Sequence, residues 1–247
     1  MTLFRAKLLA CAWHFLFTLI SAGLTAILVF LVWYPDSLYN VVGGIEIYKL
    51  VILLEICLGP VVSFVVFNPN KSKRELVLDY TLIATVQISA LVYGLYVIYQ
   101  GRPVFEVYYD SKVHIVTALE LDEQDLKAAR EYNSLSVLGP LEVCISRPLD
   151  PKKKQELLFS GIAGKDVEFF PEYYRTCDHG EISSGAYPLA RLKDIVREKK
   201  LPAALLSGTS RFDKWVPLIS KNGIWVLALS SEMTDAKIAL PINPYSQ

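Results

Sequence analysis

Charge is scarce in the first 101 residues of this 247-residue chain, and recognisable catalytic or metal-binding motifs are lacking throughout it. The sequence has no glycine-rich phosphate loop, no paired metal-ligand spacing and no HExxH pattern, which are common signs of nucleotide and metal chemistry. Its formal net charge is zero, so no basic bias favours nucleic acid as a partner. We therefore expect no cofactor, no bound metal and no nucleic acid.

Apolar residues are abundant, at 53% of the chain, and they are concentrated in its first part. Residues 1–101 carry six basic and five acidic side chains, whereas residues 102–247 carry 19 basic and 20 acidic ones. The second part is long enough for one domain with its own core. The sequence therefore predicts a membrane region at 1–101 and a soluble domain at 102–247.

Three apolar segments in the first part are long enough to cross a bilayer, at about 8–33, 47–67 and 77–99. The competing interpretation of the first segment is a cleaved signal peptide, because Arg5 and Lys7 precede it. The apolar region of a signal peptide ends after roughly 7 to 15 residues, whereas this one resumes with Leu24 to Trp33. A three-helix transmembrane bundle is the prediction.

The distribution of lysine and arginine predicts the orientation of the bundle. The N-terminus has two such residues and the Asn68 to Glu75 loop has three, while the Tyr34 to Glu46 loop has none. Because short cytoplasmic loops are enriched in these residues, the N-terminus should be cytoplasmic. Three crossings would then place the C-terminal domain in the periplasm of a Gram-negative cell, with the chain in the inner membrane.

Within the bundle, His14, Thr18, Ala22 and Ala26 recur every four residues and form one helical face of mostly small side chains. Small side chains allow helix backbones to approach closely in lipid. Two interpretations remain open: the face packs on the other two helices, or it docks a helix from a client protein.

Glu55 has the least favourable free energy of transfer into the membrane of any residue in the chain. An ionised carboxylate in hydrocarbon must be neutralised, paired or hydrogen-bonded. Counting roughly 1.5 Å per residue, Gln87 of the third span reaches a similar depth and is the expected donor, alone or with Thr85 or Ser89. His14 lies nearer the cytoplasmic face and matches this depth less well. Glu55 would then fix the helix register, or it would form a site for a partner helix or a proton.

The second part has the pattern of a small α+β domain. Its predicted strands are 103–109, 112–117, 141–145, 215–219, 224–229 and 237–242, and its predicted helices are 121–132, 151–159 and 187–200. Asp110 and Ser111 should turn the first hairpin, and Asn222 and Gly223 the last one.

Cys144 and Cys177 lie in this domain, and an oxidising compartment would allow them to form a disulfide. Two separate thiols are the alternative. Cys177 is followed by Asp178 and His179, but neighbours in sequence do not make a catalytic dyad, and Ser210 lacks the second glycine of a nucleophile elbow. We expect no enzymatic activity; a membrane-anchored periplasmic hydrolase or thiol enzyme is the alternative.

The chain resembles the type IV pilin accessory proteins of the TfpX/TfpZ group. The resemblance is carried by the three spans and by GRPVFEVYYDSKVHIVTALEL (Gly101 to Leu121), LLFSGIAGKDVEFFPEYY (Leu157 to Tyr174), YPLARLK (Tyr187 to Lys193) and LPINPY (Leu240 to Tyr245). It covers nearly the whole chain and contains no catalytic signature.

The resemblance implies an inner-membrane factor that acts on the major type IV pilin to support pilus assembly and to adjust extension against retraction. Pilin offers an apolar N-terminal helix in the membrane and a periplasmic head. The hypothesis is that the small-residue face or Glu55 meets the helix, and that an aromatic loop or another surface of the domain meets the head. The aromatic residues of this loop are Phe169, Phe170, Tyr173 and Tyr174. Pilus assembly machinery is a further expected partner, and a periplasmic sensor or general membrane chaperone is the other alternative.

Overall fold

The computed structural model of the chain describes residues 3–68, 70–230 and 237–246. The first of its two compact units consists of Met1–Leu31 and Gly43–Gln100, and the second of Val32–Val42 and Gly101–Gln247. Residues 32–42, the connecting segment between the first two spans, belong to the second unit.

Long apolar helices make up the first unit. The helices of the first 100 residues are α1 (Leu3–Ile27, continued by a π-helical stretch, Leu28–Trp33), the short α2 of the connecting segment (Leu38–Val41), α3 (Gly44–Val66) and α4 (Lys73–Gln100). The helices α1 with its continuation, α3 and α4 are long and apolar enough to cross a membrane. Each begins before its predicted start, because the polar residues that flank an apolar segment are also helical. At α4, for example, the backbone N–H of Ser72 donates to Glu75 Oε2 at 2.8 Å and caps the helix.

Helix α3 contacts both α1 and α4. A methyl group added at Gly94 of α4 would lie 2.6 Å from Val51 Cγ2 of α3, so glycine is what permits this approach. On the other side of α3, the Tyr48 hydroxyl donates to the carbonyl oxygen of Ala22 in α1 at 2.5 Å. Pro60 lies inside α3 without ending it.

The connecting segment is anchored in the second unit. Its apolar side chains Tyr34, Leu38, Val41 and Val42 are buried. The Ser220 hydroxyl, far away in the sequence, donates to the carbonyl oxygen of Val41 at 2.8 Å. The segment is therefore part of the folded domain and not a free loop.

A mixed eight-stranded sheet forms the centre of the second unit, within the described residues. Its strands are β1 (Pro103–Tyr109), β2 (Lys112–Thr117), β3 (Leu141–Ile145), β4 (Tyr174–Arg175), β5 (Tyr187–Pro188), β6 (Lys214–Ser220), β7 (Gly223–Leu229) and β8 (Lys237–Leu240). The strand order is β4-β3-β1-β2-β6-β7-β8, with β5 paired to β6. The β1–β3 and β2–β6 pairs are parallel and the others antiparallel.

Two hairpins occur close to their predicted positions. Asp110 and Ser111 have φ angles of 51° and 59°, as a two-residue turn between right-twisted strands requires. In the last hairpin Ser220 pairs with Gly223. The turn therefore falls one residue earlier than predicted, and Gly223 begins β7 with a φ of 129°.

The helices of this unit are α5 (Glu123–Ala128), α6 (Pro151–Ile162), α7 (His179–Gly185) and α8 (Leu189–Glu198). The predicted helix 121–132 is shorter because the chain turns extended at Ala129, and the Tyr132 ring packs 6.2 Å from that of Phe105. The predicted helix 187–200 starts later because Tyr187 pairs with Trp215 in the sheet. Three long apolar helices followed by an α+β domain confirm the predicted fold class.

Candidate functional site

A groove with a volume of about 540 Å³ lies between α1 and α4 in the first unit. Residues of α3 form part of its floor. The lining side chains are mostly apolar, and they include Trp13, Phe17, Ala22, Ile52, Ala84, Ile88 and Leu91. A groove of this composition inside three membrane-length helices suits an apolar guest that lies in the membrane.

Polar side chains meet at the floor of the groove. Gln87 Nε2 of α4 lies 3.5 Å from Glu55 Oε2 of α3, so the pair expected from their depths is brought together. Gln87 Nε2 and His14 Nε2 of α1 both lie next to Gly59, 2.3 Å and 2.6 Å from where its Cβ atom would be. The other nitrogen of this ring, His14 Nδ1, lies 2.5 Å from the Ser63 hydroxyl. The network thus joins all three long helices.

Gly59 makes room for this network. A Cβ atom at this position would lie 2.6 Å from His14 Nε2. Sequence reasoning considered His14 a poorer partner for this depth than Gln87, and it did not connect Ser63 with either. Gly59 and Ser63 are four residues apart and lie on one face of α3. This spacing is the sequence feature that could have indicated a close polar contact with another helix.

The predicted face of α1 has two roles in the structure. His14, Thr18 and Ala22 line the groove, while Thr18 is also buried and Ala22 accepts the hydrogen bond from Tyr48. Ala26 is half-buried near the other end of α1. The face therefore packs on α3 along one edge and borders the groove along the other.

The predicted aromatic loop is part of the domain core. Tyr173 and Tyr174 are buried, and Phe169 and Phe170 pack against the same core while partly exposed. The Tyr174 ring lies 5.0 Å from that of Phe105, and its hydroxyl donates to the carbonyl oxygen of Glu168. Burial raises the pKa of Tyr174. These rings stabilise the domain instead of offering a free surface to a partner.

An exposed apolar face on α6 was missed by sequence reasoning. Leu158, Phe159 and Ile162 are 65%, 60% and 77% exposed. Leu157 is the apolar residue of this helix that packs against the core. The sequence could have predicted this exposed face. Residues 158 and 162 share one side of the helix, and residue 157, which packs on the core, lies away from that side.

The structure joins Cys144 and Cys177 in a disulfide with their Cα atoms 4.9 Å apart. The Cys177 sulfur is thus bonded and not a thiol nucleophile. The neighbouring Asp178 accepts a hydrogen bond from the backbone N–H of Gly180 and caps α7. Ser210 is exposed and lies in a single helical turn, Thr209–Arg211.

A buried ionic cluster ties β8 to β1 and β3. Lys237 forms ion pairs with the buried Glu106 and with Glu142, the latter at 2.5 Å. Burial alone would lower the pKa of Lys237, but the charges of Glu106, Tyr108 and Glu142 raise it above its ordinary value. Three strands separate β8 from β1 in the sheet, so the sheet curls to bring these residues together. Sequence reasoning did not find this cluster.

The fold and the groove define a membrane protein with three membrane-length helices and an attached α+β domain. A family model described as fimbrial assembly protein FimB matches residues 2–43. Similar proteins come from Dichelobacter nodosus. The fimbrial assembly protein of serogroup I is 27% identical over 240 residues, which are 94% of this chain and 93% of the relative.

The serogroup E1 protein is 27% identical over 242 residues, with 94% of this chain and 93% of the relative covered. The protein of serogroups C1 and C2 is 37% identical over 115 residues, 47% of this chain and 86% of the relative. The chain belongs to this family of fimbrial assembly proteins. No solved structure matches it.

Proposed function

We propose that this protein is an inner-membrane accessory factor for type IV pili, of the TfpX/TfpZ kind, that holds the major pilin before it enters the fibre. The groove between α1 and α4 is the observation that carries this proposal, because it is open, apolar and set among membrane-length helices. Its guest is the apolar N-terminal helix of pilin. Family membership supplies the assembly role.

The polar floor gives the groove a means of recognition. The Gln87 contact with Glu55 is long, at 3.5 Å, so it leaves acceptor capacity on the carboxyl group. A polar group that faces lipid chains has no partner, whereas a hydrogen-bond donor on a guest helix would satisfy it. The floor therefore favours a helix that carries a donor at this depth over lipid.

In the proposed orientation the N-terminus and the 68–75 loop are cytoplasmic, and the domain lies in the periplasm beside the pilin head. The lysine and arginine counts support this orientation. The exposed face of α6, with Leu158, Phe159 and Ile162, is our candidate for the contact with the head, in place of the aromatic loop. We propose a binding role without catalysis, and the bonded state of Cys177 supports it.

Site-specific photocrosslinking in living cells tests the groove. A photoreactive phenylalanine analogue replaces Phe17, which lines the groove, or Phe15, an exposed residue of the same helix outside its lining. We expect a pilin adduct from position 17 and at least tenfold less from position 15. Equal adducts at both positions, or none at position 17 in an inserted protein, would overturn the proposal.

The step of pilus biogenesis that depends on this protein can be separated genetically. Surface pili are counted in a strain that lacks the protein, with and without the retraction motor. We expect few pili when the motor is present and a partial recovery when it is removed, since the proposed factor both supports assembly and shifts the balance towards extension. Full recovery would restrict the role to retraction, and no recovery would restrict it to assembly.

A further inference from the structure

Four exposed apolar side chains lie at one end of the sheet in the second unit. Leu119, Val137, Leu138 and Leu141 are 63%, 49%, 82% and 44% exposed. Together they are called the proximal patch below. Exposed leucines that occur singly need no explanation, but several at one end of a sheet mark an interaction surface.

Strand register locates this end. Pro103, the first residue of β1, pairs with Thr117 at the end of β2, and Leu119 follows two residues later. Leu141, the first residue of β3, pairs with Phe105 in the parallel β1–β3 pair. Leu119 and Leu141 therefore lie where the chain enters the sheet, just after the third membrane-length helix ends at Gln100.

The loop that carries Val137 and Leu138 is held to residues next to the spans. Arg102, two residues beyond Gln100, is buried and donates from Nε to the carbonyl oxygen of Ser136 at 2.9 Å. Gly139 has a φ of 92°, and a Cβ atom there would lie 2.9 Å from Cγ of Pro35. Pro35 follows Trp33, the last residue of the first span, by two residues.

These contacts keep the loop close to residues that directly adjoin the first and third membrane-length helices. Two residues of chain span at most about 7 Å, so Arg102 and Pro35 are both close to the ends of membrane-crossing helices. A loop packed on both of them lies at the interface between water and lipid. Its most exposed side chain, Leu138, is then within reach of the acyl chains.

We propose that the proximal patch inserts into the interfacial layer of the bilayer, so that lipid covers Leu138 and its apolar neighbours. The domain is thereby docked on the membrane surface by its own loop as well as by the three helices. This contact depends on lipid alone. It therefore stands or falls independently of the pilin groove.

Leu149 provides a matched control. It is 90% exposed and follows Ile145, the last residue of β3, by four residues. Because β3 starts at the proximal end and runs away from it, Leu149 lies towards the opposite end of the sheet. A leucine of similar exposure is thus available far from the proposed lipid contact.

Spin labelling of the full chain in lipid vesicles tests the proposal. Cys11 and Cys57, the free cysteines of the described residues, are replaced by alanine, the Cys144–Cys177 disulfide is kept, and a nitroxide is attached through Leu138→Cys or Leu149→Cys. Collisions with oxygen, which concentrates in lipid, are compared with collisions with a water-soluble nickel chelate. Unchanged thermal melting of each labelled protein establishes that it is folded.

We expect the label at position 138 to collide severalfold more with oxygen than with the nickel chelate, and the label at position 149 to show the reverse. A label at position 138 that is as accessible to the chelate as the one at 149 would overturn the proposal. A label at 138 shielded from both reagents would overturn it as well, since protein and not lipid would then cover the patch. No pilin is present in the vesicles, so the result does not depend on the proposed function.

Discussion

In the proposed function, recognition in the groove depends on Glu55. It lies in a membrane-length helix with Gln87 as its hydrogen-bond partner at 3.5 Å. Ionisable residues inside membrane spans are costly, and they usually mark a functional position. Here the carboxyl group lines the groove instead of being enclosed between helices. We infer that its remaining acceptor capacity serves a guest helix.

Replacing Glu55 tests this inference at the residue scale. Glu55→Leu removes the acceptor, and we expect a severalfold loss of pilin recovered with the protein, since a hydrogen bond contributes about 0.5–1.5 kcal/mol and about 1.4 kcal/mol is tenfold in affinity. Glu55→Gln keeps a carbonyl acceptor and should retain more pilin than Glu55→Leu. Recovery is measured by quantitative blotting after purification in mild detergent. Equal recovery from both variants and the wild type would contradict the assigned role.

Lys237 is expected to be important for stability and not for pilin recognition. Lys237→Met leaves the Glu106 carboxylate, 2% exposed, without its cation. Breaking a buried ion pair by removing one partner costs about 3–5 kcal/mol, so thermal unfolding of the purified protein should shift clearly downwards. Adding Glu106→Gln removes the stranded charge and should restore part of the loss. An unchanged melting temperature in the single variant would show that the cluster is not stabilising.

Some of these residues could be predicted from sequence and others could not. The Glu55–Gln87 pair followed from the helical rise, because two helices that cross the same bilayer share a depth scale. Lys237 and Glu106 are 131 residues apart and meet only because the sheet curls, which no local pattern encodes. The burial of the aromatic loop could not be predicted for a related reason. Its rings form two adjacent pairs on either side of Pro171 and Glu172, which does not by itself indicate burial, yet Tyr173 and Tyr174 are buried in the fold.

At the scale of elements, the limits of strands that end at turns were predicted better than the limits of helices. β1, β2 and β3 have the predicted limits, since β-branched and aromatic residues end at clear turns. The predicted helix at 121–132 ends at Ala128, because tertiary packing of Tyr132 prevails over helix propensity. The groove was beyond prediction, since it depends on which helices are neighbours. α3 contacts both α1 and α4 and leaves space between them.

Helix α6 carries a prediction at this scale. Phe159 is 60% exposed on the apolar face proposed to contact the pilin head, and Tyr245 is a residue of similar exposure, 55%, outside that face. With a photoreactive phenylalanine analogue at each position, we expect a pilin adduct from position 159 and little from position 245. Peptide mapping should place the adduct in the pilin head. Adducts of equal yield from both positions would exclude α6 as the specific contact.

At the scale of the whole molecule, the position of the connecting segment limits how the helices can cross the membrane. Residues 32–42 follow the first span and pack within the domain that follows the third span. A segment that precedes the second span and a domain that follows the third lie on the same side of a membrane when each helix crosses it once. The structure of the second unit thus fits a second and a third span that each cross the membrane, by an argument that does not use charge counts.

Reporter fusions test this topology directly. A phosphatase that is active only in the periplasm is fused after Gln247, or inserted after Asn70 in the loop between the second and third spans. We expect an active enzyme at the first site and an inactive one at the second, because the positive-inside rule places the 68–75 loop in the cytoplasm. The opposite pattern would reverse the proposed orientation and move the domain away from the pilin heads.

The central claim is that the groove between α1 and α4 holds the apolar helix of pilin. Ala84→Trp fills the groove from α4, whereas Ala12→Trp adds the same side chain at an exposed position of α1 outside the groove lining. The most direct measurement is the amount of pilin that co-purifies with each variant from detergent-solubilised membranes. We predict at least a tenfold loss for Ala84→Trp and wild-type recovery for Ala12→Trp. Wild-type recovery with Ala84→Trp in a folded, inserted protein would contradict the account.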